Sequence, residues 1–265
     1  MSYLRLGMFA ILLSFATDSL AWACCNLTEV KEECQPHWYA SIGIGDSVDY
    51  RAGTGQYSPI LLVPIPTSFS PNYNSSPIYF QGELGYIWNH PFTSDLNNRF
   101  FPFMSLGVQY RYTTPVTIDT SVILAFTTPV DLDIPYRIEQ NSALLTWKID
   151  FYQWFNRLMP YLNLGLGASW NHTSQKETIT DVTDLINTSS KTNTDWNYNI
   201  GVGLDFIVAT NFWLSLGYSY DHFGQLQLGQ LNFTPDDGLN SGFQSVDIGN
   251  LHAHNIIFTA RYLFG

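Results

Sequence analysis

The chain has 265 residues, 11 Lys+Arg against 22 Asp+Glu, and a formal net charge of −11. That acidic balance argues against a nucleic-acid partner. Charged residues make up 12% and aromatics 16%, the former about half the usual share. Beyond the N-terminus no run reaches the ~18 continuous apolar residues of a membrane helix.

The chain opens on a processing signal. Arg5 supplies a positive charge, Leu6 to Phe15 is a mostly apolar run, and Ala21-Trp22-Ala23 fits a small-x-small cleavage site. Residues 1–23 therefore read as a signal peptide, and the chain as exported. A lipoprotein acylated on Cys24 is the alternative, but Ala21 stands where such a signal normally carries leucine. The cysteines Cys24, Cys25 and Cys34 all follow directly. In an oxidising compartment one of the first two, for instance Cys25, can pair with Cys34 as a local staple. Residues 24–37 read as an N-terminal periplasmic segment.

Period-two runs bounded by Pro, Gly, Asn, Asp and Ser then predict eight strands. They fall at about 38–46, 77–88, 100–112, 136–152, 160–172, 195–208, 212–222 and 252–264. The connections between them alternate long and short, so the long ones share one end. Outer-membrane barrels combine short periplasmic turns with longer extracellular loops in this way.

One row of every strand is bulky and uncharged. In chain order it carries Trp38, Ile42 and Ile44; Phe80, Leu84, Tyr86 and Trp88; Leu106, Val108 and Tyr110; Leu145, Trp147 and Ile149. It continues with Leu162, Leu164, Leu166 and Trp170; Ile200, Val202, Leu204 and Phe206; Leu214, Leu216, Tyr218 and Tyr220; and Ile256, Phe258, Tyr262 and Phe264. The opposite row is small, with Ser41, Gly43 and Gly45 or Gly165, Gly167 and Ser169 as examples. Eight strands enclose a space only just wide enough for side chains to fill. Eight rows of Trp, Phe, Tyr and Leu would overfill it, and glycine makes a poor strand surface. The bulky face is therefore expected to point outward, into lipid. An unpaired edge in hydrocarbon costs several kcal/mol per group, so the first and last strands are expected to pair. Aromatic residues cluster near strand ends, as interfacial girdles do.

Parity places Glu83, Asp150 and Asp205 inside, together with Arg111, Lys148 and Arg261. Buried charges need partners, so these six are expected to form a lumen ion-pair network; a polar channel lining is the alternative.

The chain resembles the small outer-membrane barrels of the opacity-protein/OmpA-like transmembrane superfamily. "WYASIGIG" is similar to the first strand of that family and "PYLNLGLGASWN" to its fifth. "NIGVGLDFIVATNFWLSLGYSYDHFG" is similar to its sixth-to-seventh hairpin, and "HNIIFTARYLFG" to its last strand. The resemblance implies that the alternating C-terminal aromatics are an assembly signal read by the barrel-assembly machinery. Two features depart from the pattern: Gly265 follows the final aromatic, and no C-terminal peptidoglycan-binding domain is expected.

Two sets of residues are candidates for chemistry. His172 and Ser174, with Glu177 beyond, lie at the long-connection end of the fifth strand on the outward row. A His-x-Ser pair there resembles lipid A deacylase barrels, in which histidine takes the proton of a serine nucleophile; a polar strand end is the favoured plain reading. His222, His252 and His254, with Asp221 adjacent, gather at the same rim. They suit a transition metal through their imidazoles or lipopolysaccharide phosphates when protonated; a polar boundary is again the plain reading. "SPILLVPIPTSF" (58–69) and "TSVILAF" (120–126) are apolar where loops are normally polar, which marks interaction surfaces. Residues 173–195 read as a polar mobile loop, and 233–238 as a solvated turn.

The expectation is an all-β protein, an eight-stranded antiparallel up-and-down transmembrane β-barrel over 38–265 with four long extracellular loops. It is expected in the bacterial outer membrane after signal-peptide cleavage, without cofactor and without enzymatic activity. A surface antigen, adhesin-like or envelope-structural role leads. A narrow channel for small hydrophobic solutes comes second, and a lipid A-modifying hydrolase third. Expected partners are outer-membrane lipid and lipopolysaccharide, the assembly machinery, and host surface molecules through the long loops.

Overall fold

The computed structural model describes residues 37–51, 69–73, 76–89, 100–125, 129–154, 157–175, 185–229, 231–234, 241–243 and 247–264. The described residues form twelve strands: β1 (His37–Arg51), β2 (Phe69–Tyr73), β3 (Ile78–Asn89), β4 (Phe103–Ala125), β5 (Pro129–Asp150) and β6 (Leu158–Gln175). The remaining six are β7 (Leu185–Thr188), β8 (Lys191–Ala209), β9 (Phe212–Gln227), β10 (Leu231–Thr234), β11 (Ser241–Phe243) and β12 (Asp247–Phe264). Eight of them, β1, β3, β4, β5, β6, β8, β9 and β12, pair antiparallel in sequence order. The circle closes where β1 meets β12, in register from Trp38↔Phe264 to Arg51↔His252. Closure leaves no strand edge to hydrocarbon, as the physics of a spanning sheet demands.

The two rows separate by face as their chemistry requires. Trp38 is 65% exposed, Leu84 66% and Val108 62%, while their chain neighbours Tyr39, Gly85 and Gln109 are buried. An exterior this apolar is stable only against lipid. Along β9 the outward row runs from Phe212 to His222. Ten residues at ~3.4 Å each, tilted by ~40°, span about 26 Å, the height of an outer-membrane apolar band. Trp38, Tyr86 and Trp88 make edge-on ring contacts at the lower border, as do Tyr262 and Phe264.

The main difference from expectation lies between the third and fourth barrel strands. Residues 120–126, expected as an apolar loop, are strand up to Ala125, and only three residues separate β4 from β5. The two strands stay paired from Val116↔Ile138 to Ala125↔Pro129, and β2 adds along β4 from Phe69↔Val122 to Tyr73↔Ile118. Thr114-Pro115 looks like a strand terminator, yet it sits in a register shift between Thr113 and Val116. A bulge is one of the few places a ladder tolerates proline, and the β-branched residues beyond it resume the strand. The ribbon thus continues well past the apolar band.

Two other connections also carry strand. Within 173–195, β6 runs to Gln175, β7 covers Leu185–Thr188 and β8 starts at Lys191. Phe233 and Thr234 belong to β10, which joins β7 and β11 in a separate three-stranded sheet. The signal segment, the three cysteines, Glu177, residues 235–238 and all of 58–69 except Phe69 lie outside the described residues.

Candidate functional site in the barrel lumen

The six charged residues assigned inward by parity all line the interior. Arg111, Lys148, Asp150, Asp205 and Arg261 are buried, and Glu83 lines the same lumen cavity. Four of them fall into two centres. In the lower one, Lys148 Nζ donates to both carboxylate oxygens of Asp205, at 2.6 and 2.5 Å, and Arg261 Nη1 lies 3.9 Å from Asp205 Oδ2. In the upper one, Arg111 Nη1 pairs with Asp221 Oδ1, and Arg111 Nη2 donates to Gln109 Oε1 at 3.1 Å. Asp221 also accepts from Ser219 Oγ at 2.7 Å and from Asn255 Nδ2 at 2.5 Å. Glu83 sits between the centres and accepts from Tyr39 Oη at 2.6 Å and Thr146 Oγ1 at 2.7 Å. Asp150 is buried without an ion pair within the described residues, and its Oδ1 has no hydrogen-bond partner. A cavity of about 40 Å³ lies between the two centres, room for a few waters at most.

Asp221 corrects the expected grouping. It neighbours His222 in sequence, but adjacent residues of a strand point to opposite faces. The histidine faces out, while Asp221 is fully buried as the partner of Arg111.

Three inward tyrosines were not anticipated. Each lumen cation lies over one of them: Arg111 over Tyr79 at 5.0 Å, Lys148 over Tyr161 at 3.8 Å, and Arg261 over Tyr39 at 4.5 Å from the ring centroid. The ring faces are electronegative and suit a desolvated cation. The inward glycines make room for them. A Cβ on Gly107 would fall 2.7 Å from Tyr39 Oη, and one on Gly203 2.6 Å from Tyr161 Cζ. The signal was present, since each tyrosine stands one position off a bulky outward row, but the prominence of glycine on that face masked it.

Apolar side chains flank the charged layer on both sides. At the short-turn end Tyr39, Ile87, Met159, Trp213 and Leu263 form a buried cluster, with Phe103 and Ile207 packed against it. Toward the other end the inward positions Val116, Tyr136, Ile138, Phe223, Leu226, Leu251 and Ala253 are all at most 2% exposed.

The outward candidates are placed differently. His172 Nδ1 lies 2.9 Å from Thr192 Oγ1, and Ser174 stands opposite Arg137 of β5. Two residues along one strand are ~7 Å apart, so His172 and Ser174 share a face without hydrogen-bonding each other. His222, His252 and His254 also face out, but each engages tyrosine: Tyr198 stacks on His222 at 4.7 Å and 9°, and Tyr218 hydrogen-bonds His254 Nδ1. Among the described residues no three His, Cys, Asp or Glu side chains are grouped to hold a metal.

A closed eight-stranded barrel with a lipid-facing apolar band and a polar interior is a transmembrane β-barrel. The chain belongs to the outer membrane protein beta-barrel domain family, whose model matches residues 9–264; the bacterial outer membrane is the location of that family. Among solved structures it is similar to outer membrane protein OprG of Pseudomonas aeruginosa, with 13% identity over 86% of this chain and 96% of that one, TM-score 0.47. It is also similar to the attachment invasion locus protein Ail of Yersinia pestis, with 14% identity over 87% and 99%, TM-score 0.36. The outer membrane protease OmpT of Escherichia coli is a third, with 9% identity over 86% and 97%, TM-score 0.46. No curated protein matches the chain.

Proposed function

We propose that this protein is a non-conducting, non-enzymatic surface barrel whose working part is the ribbon of β2, β4 and β5. Its role is adhesin-like, antigenic or envelope-structural. The observation that supports the reading is the division along β4 and β5. Their lower halves wall a filled lumen, and their upper halves continue as a paired ribbon beyond the apolar band. A side-chain-filled lumen gives the barrel rigidity rather than a pathway, and rigid scaffolds commonly present binding segments on their connections.

The test replaces 116–138 with a two-residue Asn-Gly turn in the producing bacterium. Adherence to host-cell monolayers and uptake of a small hydrophobic solute are then compared with the parent strain. Loss of adherence with unchanged uptake supports the proposal. Lost uptake with unchanged adherence overturns it in favour of the hydrophobic-solute channel.

A further inference from the structure

We infer that the outward face shared by β8, β9 and β12 holds the phosphate of a phosphorylated glycolipid in the outer leaflet, through His222, His252 and His254. The three strands bring these residues together in register. One row reads Tyr198↔His222↔His252 and the next Ile200↔Tyr220↔His254. Directly opposed residues have Cβ atoms ~5 Å apart and diagonal ones ~7 Å, so three imidazoles fall within the footprint of one headgroup.

Hydrogen bonds fix two of the three rings. Gly224 N–H donates to His222 Nδ1 at 3.3 Å. That nitrogen must then be unprotonated, and the neutral ring carries its proton on Nε2. The Tyr218 hydroxyl engages His254 Nδ1, which leaves Nε2 of that ring as the free nitrogen too. Ring contacts hold the imidazoles in place: Tyr198 stacks on His222 at 4.7 Å and Tyr218 on His254 at 5.9 Å, while Tyr220 meets His254 and His252 at a tilt, at 5.2 and 6.1 Å. The result is a fixed group of imidazoles on a lipid-facing surface, with the His222 Nε2–H free to donate.

Position and charge select the ligand. The row directly below, Val202↔Tyr218↔Ile256, begins the apolar band, so the histidines lie at its upper border, where acyl chains give way to headgroups. On β8 and β9 Asp205 and Asp221 point inward, and Asp195 accepts from the Trp196 and Gln225 backbone N–H groups at 2.7 Å each. On β1 the exposed Asp46 stands opposite Ile256, below the histidine rows, and Asp49 stands opposite His254. Imidazoles at headgroup depth, with the Asp195 oxygens already held by backbone N–H groups, match a phosphate monoester. The inference does not depend on what the β2–β4–β5 ribbon binds.

The full chain is folded into phosphatidylcholine vesicles that contain diphosphoryl lipid A, monophosphoryl lipid A or neither. The temperature at which the compact gel form is lost is then read. The expected result is the largest rise with diphosphoryl lipid A, a smaller one with monophosphoryl, and none when inorganic phosphate is added to plain vesicles. In the His222→Phe/His252→Phe/His254→Phe variant the rise disappears, while the transition in plain vesicles is kept. Single His222→Gln and His254→Gln variants each weaken lipid A retention about tenfold, the loss of a hydrogen bond to a charged group, and keep the inference testable if the triple variant does not fold. Equal shifts with both lipid A forms, no shift with either, an equal shift with inorganic phosphate, or a full shift in a folded variant would each overturn it.

Discussion

Removing the carboxylate of Asp205 probes the lower charge centre. Asp205 is 0% exposed, accepts Lys148 Nζ on both oxygens, and has Arg261 3.9 Å away. In Asp205→Ala an ammonium and a guanidinium remain desolvated with their nearest counter-charge gone. Taking one member from a buried pair costs about 3–5 kcal/mol, since the stranded charge keeps its desolvation penalty. Lys148→Met removes the charge that would be stranded. Asp205→Ala should therefore cost about 1–3 kcal/mol less in the Lys148→Met background than in the parent chain, the usual range for coupled neighbours. The assay is urea unfolding of vesicle-folded protein, followed by tryptophan emission and by the compact gel form. A loss of 3–5 kcal/mol moves the midpoint down by roughly 1–2 M. A single-variant cost below about 1 kcal/mol, or strictly additive costs, would refute a load shared between Asp205 and Lys148.

Three further outcomes follow from the same packing. Gly203→Ala sets a Cβ 2.5 Å from the Leu216 carbonyl and 2.6 Å from Tyr161 Cζ, so the same urea titration should show a loss of about 1–3 kcal/mol from overpacking. In planar bilayers the parent, Asp205→Ala and Trp213→Ala/Met159→Ala proteins should all stay silent, because each keeps an apolar layer at the upper end of the lumen; reproducible openings from Asp205→Ala alone would show that the plugs do not seal. An epitope inserted between Ala125 and Pro129 should be labelled on intact cells, whereas one at Thr210-Asn211 should be labelled only after permeabilisation; the reverse pattern would invert the topology.

The barrel was legible because its cause is local. A lipid-facing strand must place bulky apolar groups at every second position, so Ile256, Phe258, Tyr262 and Phe264 declare their face without knowledge of the other strands. Pairing of β1 with β12 then follows from the cost of an open edge. The upper reach of β4 and β5 was not legible for an equally physical reason. Thr114-Pro115 has the composition of a break, and only the partner strand shows that a bulge absorbs it. Outside lipid, moreover, the ribbon loses the strict one-sided apolar constraint that made the lower halves readable.

The interior divides along the same line. Parity alone puts Arg111, Lys148, Asp205 and Arg261 inside, because each has a bulky outward neighbour. Parity says nothing about which of them meet: Lys148 and Asp205 lie 57 positions apart and Arg111 and Asp221 110 apart. Asp221 shows how sequence proximity misleads here. Beside His222 it looks like a fourth member of a rim cluster, yet one step along a strand reverses the face. The tyrosines illustrate the remaining gap. Tyr39, Tyr79 and Tyr161 occupy a face on which Gly and Ser recur, and what they fill is the space those residues leave. An average over that face reads "small and open", whereas the structure is a fitted set of large and small residues stacked under three cations. A filled lumen is therefore a property of pairs across the barrel, and single-strand patterns cannot express it.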